Sequence, residues 1–194
     1  MIRPTGPRPG AFARAALCLL ATLPGLASAQ TYPSKPVQLI VPFSAGGDAD
    51  MAARNLAAAA QALVGQPLVV VNKAGANGAI GSAAVKAAAP DGYTLLVGRI
   101  GSQVLLPALQ PKTTPYTSRD FTYIGLLELN PVVCVVHPDS PYKSMNDLTR
   151  ALKAQPGKLN YSHSGPATVQ NLAPQLLLST QGLKADAVVS VPYK

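Results

Sequence analysis

Between residues 37 and 97 the chain changes twice from a short strand-like run to a small-residue helical run and back, with little in between. Residues 37–41, Val-Gln-Leu-Ile-Val, read as a strand closed by Pro42. Residues 44–48 form a loop. Residues 49–64 have a strongly helical composition, and Gly65 stands where a helix needs a left-handed C′ residue. A second β-branched strand is expected over 68–71, a turn with Gly75 over 72–77, and a second helix over 78–89, stopped by Pro90-Asp91-Gly92. Residues 93–97 make a third strand. A β-α-β-α-β order with short connections predicts right-handed crossovers onto one parallel sheet. The composition agrees: few aromatics, no Trp and only 12% charged residues suit strands buried on both faces by helices.

Beyond this unit, 98–120 is rich in Pro, Thr, Ser and Gly and reads as mostly irregular. Residues 121–129 and 131–136 read as extended, and Asn130-Pro131 between them marks a lobe boundary. A helix is expected over 144–155, with Ser144 as N-cap and Asp147 at N3. A strand over 159–161, a helix over 169–181 and a strand over 187–191 follow. A parallel strand with nothing after it leaves a neighbour unpaired, so this second lobe is expected to be incomplete.

The N-terminus carries Arg3, Arg8 and Arg14, an apolar run over 15–23, and Ala27-Ser28-Ala29. That combination predicts a secretory signal over 1–29 with Gln30 as the mature N-terminus. The run is far short of the roughly 20 residues of a spanning helix. The whole chain has 16 Lys+Arg against 8 Asp+Glu; without the three signal arginines, 13 basic face 8 acidic residues, a net +5. The lysines are scattered, with no basic run and no interleaved aromatic platform, so nucleic acid is not an expected partner. Cys134, in the apolar run 132–136, is then the one remaining cysteine. It has no internal disulfide partner and is expected to be buried as a small hydrophobe.

Four stretches can carry chemistry. The first is Pro42 to Asp50, at a strand-to-helix junction where open α/β sheets bind ligands. Phe43, Ser44, Ala45, Gly46 and Gly47 lie where free N–H groups attract anions and where glycine lets a ligand approach the backbone. Asp50 is a plausible N-cap for the helix. A tight βα turn explains the same residues equally well. The second, Gly75 to Gly81, is spaced G-x-x-G-x-x-G rather than as a dinucleotide loop, and a turn plus helix packing accounts for it. In the third, Arg99 offers a bidentate partner for a carboxylate, and Gly101 and Ser102 offer donors; a solvent-facing arginine is the plainer alternative. The fourth, Ser162 to Thr168, offers the hydroxyls of Ser164 and Thr168 at a helix start. Ser162 stands where a nucleophile elbow needs glycine, and His163 is adjacent to Ser164, so hydrolase chemistry is not expected. Two histidines without ligand spacing support no metal site, and no cofactor is expected.

Taken in order, several of these stretches resemble the Bug family of periplasmic solute-binding receptors, the substrate-binding proteins of tripartite tricarboxylate transporters. They are Tyr32-Pro33-Ser34-Lys35-Pro36, Val41 to Gly47 with Asp50 and Ala53-Arg54, Gly65-Gln66-Pro67, and Asn72 to Ala76. Ala89 to Leu96, Pro107-Ala108-Leu109, Asp120-Phe121, Pro156 to Tyr161, Ser164-Gly165 and Val191 to Lys194 complete the set. The resemblance implies an α/β, type II-like two-lobe periplasmic-binding fold, with lobes over 30–130 and 131–194. It implies capture of a small organic solute, often a carboxylate, for delivery to membrane permease subunits, by a periplasmic monomer without enzymatic activity. Phe43 to Gly47 would hold one end of the solute, and Arg99, Gly101-Ser102 and Ser164 to Thr168 would form other walls.

The chain departs from that pattern in three ways. Asp48 and Ala49 replace a usual glycine and threonine. Arg99 and Pro166 replace small residues, and the added arginine is expected either to offset Asp48 or to mark a different solute. The family also continues beyond Lys194, so a C-terminally truncated fold is expected. An exported α/β hydrolase and a solute-sensing partner of a membrane sensor are the competing readings.

Overall fold

A computed structural model describes residues 31–193. The expected signal segment 1–29, with Gln30, lies outside the described residues. Strand β1 (Val37–Val41) is the centre of a three-stranded parallel sheet ordered β2-β1-β3. It pairs with β2 (Leu68–Asn72) from Val37↔Leu68 to Val41↔Asn72, and with β3 (Thr94–Leu96) from Gln38↔Thr94 to Ile40↔Leu96. The central position explains the apolar run: Leu39, Ile40 and Val41 are all essentially inaccessible. Helix α1 (Asp48–Val64) lays Ala49 and Ala53 against Leu39 and Val41, with Val97 completing the core. Alanine at those helix positions lets the helix axis come close to the sheet. Each buried Val or Leu contributes about 1.5–3 kcal/mol. Gly65 ends α1 as expected, at φ 74 with its N–H on the Gln61 carbonyl.

Helix α2 (Ala79–Lys86) stops three residues short of the expected end. Pro90 disfavours helical geometry in the residue before it, and the Ala88 N–H bonds Val85 in a tighter turn. The stretch 98–120 is more ordered than its composition suggested. A π-helical turn, Gly101–Leu105, runs straight into α3 (Leu106–Leu109); Pro107 has no N–H to give to the preceding turn, and the Ser102 carbonyl there accepts the Tyr116 hydroxyl instead. A short 3-10 turn, Ser118–Asp120, is closed by Asp120 Oδ2 accepting the Thr117 N–H at 2.7 Å, and Lys86 Nζ lies 3.1 Å from the same carboxylate oxygen.

Residues 121–136, expected as extended segments, carry no regular secondary structure and belong to neither described sheet. Their apolar side chains are therefore exposed, Ile124 and Val135 at 83% each. This corrects the expectation for Cys134, which is exposed rather than buried. An apolar strand buries alternate side chains only where a neighbouring strand or layer supplies a face, and none of the described residues does so here.

The remaining elements are α4 (Met145–Ala154), β4 (Asn160–His163), α5 (Val169–Thr180) and β5 (Val189–Pro192). Ser144 caps α4 as expected: its Oγ accepts the Asp147 N–H at 3.2 Å, while the Asp147 carboxylate accepts the Lys143 N–H at 3.1 Å. β4 and β5 form a separate parallel pair, Asn160↔Val189 to His163↔Pro192. No helix among the described residues is long and apolar enough to cross a membrane.

Candidate functional site

The loop after β1 owes its shape to Asp50. The N-cap of α1 is Gly47, so Asp50 falls at N3 instead of the expected N-cap position. From there its carboxylate reaches back. Oδ2 accepts the Gly46 N–H at 2.9 Å and Arg54 Nε at 2.9 Å, and Oδ1 accepts Asn72 Nδ2 at 3.0 Å. Asn72 also donates to the Phe43 carbonyl. The Arg54 guanidinium first, then the Gly46 N–H and the Asn72 amide, hold the Asp50 carboxyl far below the usual carboxylate range. Asp50 is 2% exposed. Gly46 sits at φ +81 with no atom within 4 Å of where a Cβ would stand. The loop therefore needs glycine there for its backbone, while the space beside it is open. Ser44, Ala45, Gly46 and Gly47 are all exposed, and Phe43 is partly buried.

Close approaches at glycine bring the other stretches to this loop. A Cβ at Gly78 would lie 2.7 Å from Ser102 Cβ and 3.2 Å from Phe43 Cζ. One at Gly101 would lie 2.9 Å from the Ala167 carbonyl oxygen, and one at Gly165 would run into Asn77 Oδ1. Thus the 42–47 loop, the 75–81 turn, the 98–103 turn and the 162–168 loop meet at one place. Gly81 has the packing role expected of it, since a Cβ there would stand 2.7 Å from Pro42 Cα and 2.8 Å from the Lys73 carbonyl. Asn77, at φ 52, is the residue that sequence reading overlooked. Its signal was the Asn77-Gly78 pair, a left-handed turn dipeptide, which the glycine spacing obscured.

Not every expected donor faces outward. Ser102 is fully buried, and its Oγ donates to the Arg99 carbonyl at 3.2 Å while accepting the Gln103 amide at 3.2 Å. Gln103 in turn donates to Ser82 Oγ at 2.8 Å, and Tyr116 donates its hydroxyl to the Ser102 carbonyl at 2.6 Å. Ser102 thus shapes the 98–103 turn from inside. Thr168, the N-cap of α5, donates its hydroxyl to the Gly165 carbonyl at 2.7 Å, whereas Ser164 is exposed. Arg99 is not solvent-facing. Its Nη2 lies 2.6 Å from Glu128 Oε1 and 3.3 Å from Asp48 Oδ2. Arg99 foremost, with the Asn130 amide, lowers the Glu128 carboxyl below its usual range despite partial burial.

Nothing here assembles a nucleophile. His163 Nδ1 lies 3.0 Å from the Gly165 nitrogen and 2.9 Å from the Gly165 carbonyl oxygen, and Nε2 meets Ser190 Oγ at 2.7 Å. Both ring nitrogens are therefore engaged away from Ser164. Among the described residues no group of three His, Cys, Asp or Glu side chains converges as a metal site would require. Two surface depressions lie elsewhere, one at the far end of α1 around Ala58, Gln61, Gly65 and Pro67, the other beside α4 around Tyr142, Ala151 and Lys158.

Comparison with known proteins places this geometry. The family model described as tripartite tricarboxylate transporter family receptor matches residues 52–194. A protein of Cupriavidus necator, "UPF0065 protein in gbd 5'region", is 36% identical over 96% of this chain and 56% of its own length. BugT of Bordetella pertussis is 35% identical over 86% of this chain and 51% of its own. Among solved structures, BugD superposes with a TM-score of 0.66 at 31% identity, covering 84% of this chain and 53% of that one. MatC from Rhodopseudomonas palustris with bound malate gives 0.73 at 32%, covering 84% and 54%. The chain thus spans about half the length of the relatives it matches. Its α/β architecture is that of the periplasmic solute-binding proteins, and the chain belongs to the tripartite tricarboxylate transporter receptor family.

Proposed function

We propose that the chain is an extracytoplasmic receptor element that captures a small carboxylate-bearing solute for a tripartite tricarboxylate-type transporter. One observation carries this reading. The N–H of Ala45 has no hydrogen-bond partner among the described residues, and it stands in the exposed Ser44–Gly47 turn at the positive end of α1. Asp50 locks that turn by taking the Gly46 N–H from below. A free donor on a fixed backbone, next to a helix N-terminus, suits a carboxylate.

In this reading Phe43 to Gly47 hold one end of the solute. Arg99 and the Gly101 turn form a second wall, and Ser164 to Thr168 form a third, with Ser102 acting through the turn it braces. The lobes are 30–130 and 131–194. Solved relatives titled with bound malate and adipate support the ligand class. Delivery to permease subunits, a monomeric state and periplasmic export by the segment 1–29 complete the proposal, in keeping with the family. The test is thermal shift of the full chain against four- to six-carbon carboxylates. A ligand that binds only the native state raises Tm. At least one should do so in wild type, with a smaller shift in Gly46→Val at the same concentration; no shift of wild type by any of them overturns the reading.

A further inference from the structure

The Asp48–Arg99–Glu128 bridge is the most unusual charge arrangement beside the loop. Asp48 directly follows Gly47, so Arg99 stands at the rim of the proposed carboxylate site. Its two partners are unequal. Glu128 is the nearer, at 2.6 Å, with its side chain 32% exposed. Asp48 is at 3.3 Å with its side chain 65% exposed. Both are at ion-pair distance of Nη2, whereas Nε is shielded from solvent and has no partner. A guanidinium carries five N–H donors in a fixed fork. This one is anchored by Glu128 and holds Asp48 only loosely.

We infer that Arg99 is a specificity-determining residue of the proposed solute site, with Asp48 as an internal, exchangeable substitute for a second carboxylate of the solute. This inference rests on the proposed receptor function. Glu128 keeps its place by proximity and cover. Asp48, more distant and mostly in water, loses little on leaving. A solute held by one carboxylate at the 44–47 loop brings its distal carboxylate to Arg99 and takes the place of Asp48 at Nη2. A monocarboxylate of the same length cannot make this exchange, and it still meets the net negative charge of one arginine between two carboxylates. Selectivity for dicarboxylates therefore comes from Arg99, while Asp48 lowers affinity for any anion.

Titration calorimetry of the full chain with succinate and with butyrate tests this. Wild type should prefer succinate by at least about tenfold. Arg99→Ala should lower that ratio about tenfold while keeping butyrate binding. Asp48→Asn should raise succinate affinity several-fold, because it removes the competitor and its charge. An unchanged succinate-to-butyrate ratio in an Arg99→Ala protein that still binds overturns the role of Arg99 alone. Weaker succinate binding in Asp48→Asn overturns the exchange. Binding of neither compound by wild type and by Asp48→Asn overturns this inference together with the receptor reading.

Discussion

The Gly46 N–H and the Asp50 carboxylate, 2.9 Å apart, join the tip of the first loop to the first turn of the helix that follows it. A donor that would otherwise point into the loop is thereby taken up, and the left-handed turn at Gly46 is held in place. Asp50 also takes Arg54 and Asn72, so one carboxylate ties together a loop, a helix and the end of β2.

That arrangement predicts an acid response. Asp50 has its folded pKa pushed below the ordinary value of 3.8 by Arg54, the Gly46 N–H and Asn72. Near and below that value the unfolded chain binds more protons than the native one, so stability rises with pH there. The contribution is fully present above the unfolded value and is lost as pH falls toward the depressed folded one. Melting curves between about pH 6 and pH 2 should show a steeper acid loss of Tm in wild type than in Asp50→Asn. The variant should also melt lower at neutral pH. Parallel acid limbs would assign the effect to other carboxylates.

Two glycines should respond in opposite ways. At Gly46 the space is open but φ is +81, so Gly46→Val strains the turn by roughly 1 kcal/mol and covers the free Ala45 N–H beside it. Losing one charge-assisted bond to a carboxylate reduces affinity about tenfold to a hundredfold. At Gly81 the neighbours are Pro42 Cα and the Lys73 carbonyl, neither of which yields easily, so Gly81→Ala should lose about 1–3 kcal/mol of stability. Gly78 is a poorer control than its helix-start position suggests, because it abuts both Phe43 and Ser102. Calorimetric affinity and chemical denaturation of the two variants separate these effects. A folded Gly46→Val with wild-type affinity removes the loop from the site.

Cys134 should react in the native chain. Its side chain is exposed in a segment that no described strand covers. A thiol-specific chromophore should label it without denaturant, and Cys134→Ser should leave Tm unchanged within about 1 °C, as surface substitutions do. Labelling only after denaturation would show that something covers this segment in solution.

Export should end with cleavage after Ala29. The basic flank, apolar run and Ala-Ser-Ala site occur together at the N-terminus. Mass spectrometry of a periplasmic extract should give a chain beginning at Gln30. A cell-associated chain that retains Met1 would refute the signal.

Much of the architecture was legible in the sequence because it is local. The run 37–41 is apolar apart from Gln38, as a strand buried on both faces over most of its length requires, and Gly65 is the residue a left-handed helix end selects. Ser144 and Asp147 announced the start of α4. Part of the family signature, Val41 to Gly47 and Ser164-Gly165, lies in loops that the structure brings together. What the sequence could not decide depends on distance through space. Asp50 looked like a cap and is instead a hub, because Asn72, from a strand 22 positions later, reaches it only once β2 pairs with β1. Ser102 looked like a ligand donor, yet the packing of Gln103 and Tyr116 around its turn directs the hydroxyl inward. The apolar run around Cys134 looked like core, but burial belongs to a pair of surfaces and not to a segment. Residue identity determines which surfaces seek a partner; the tertiary arrangement decides which of them find one.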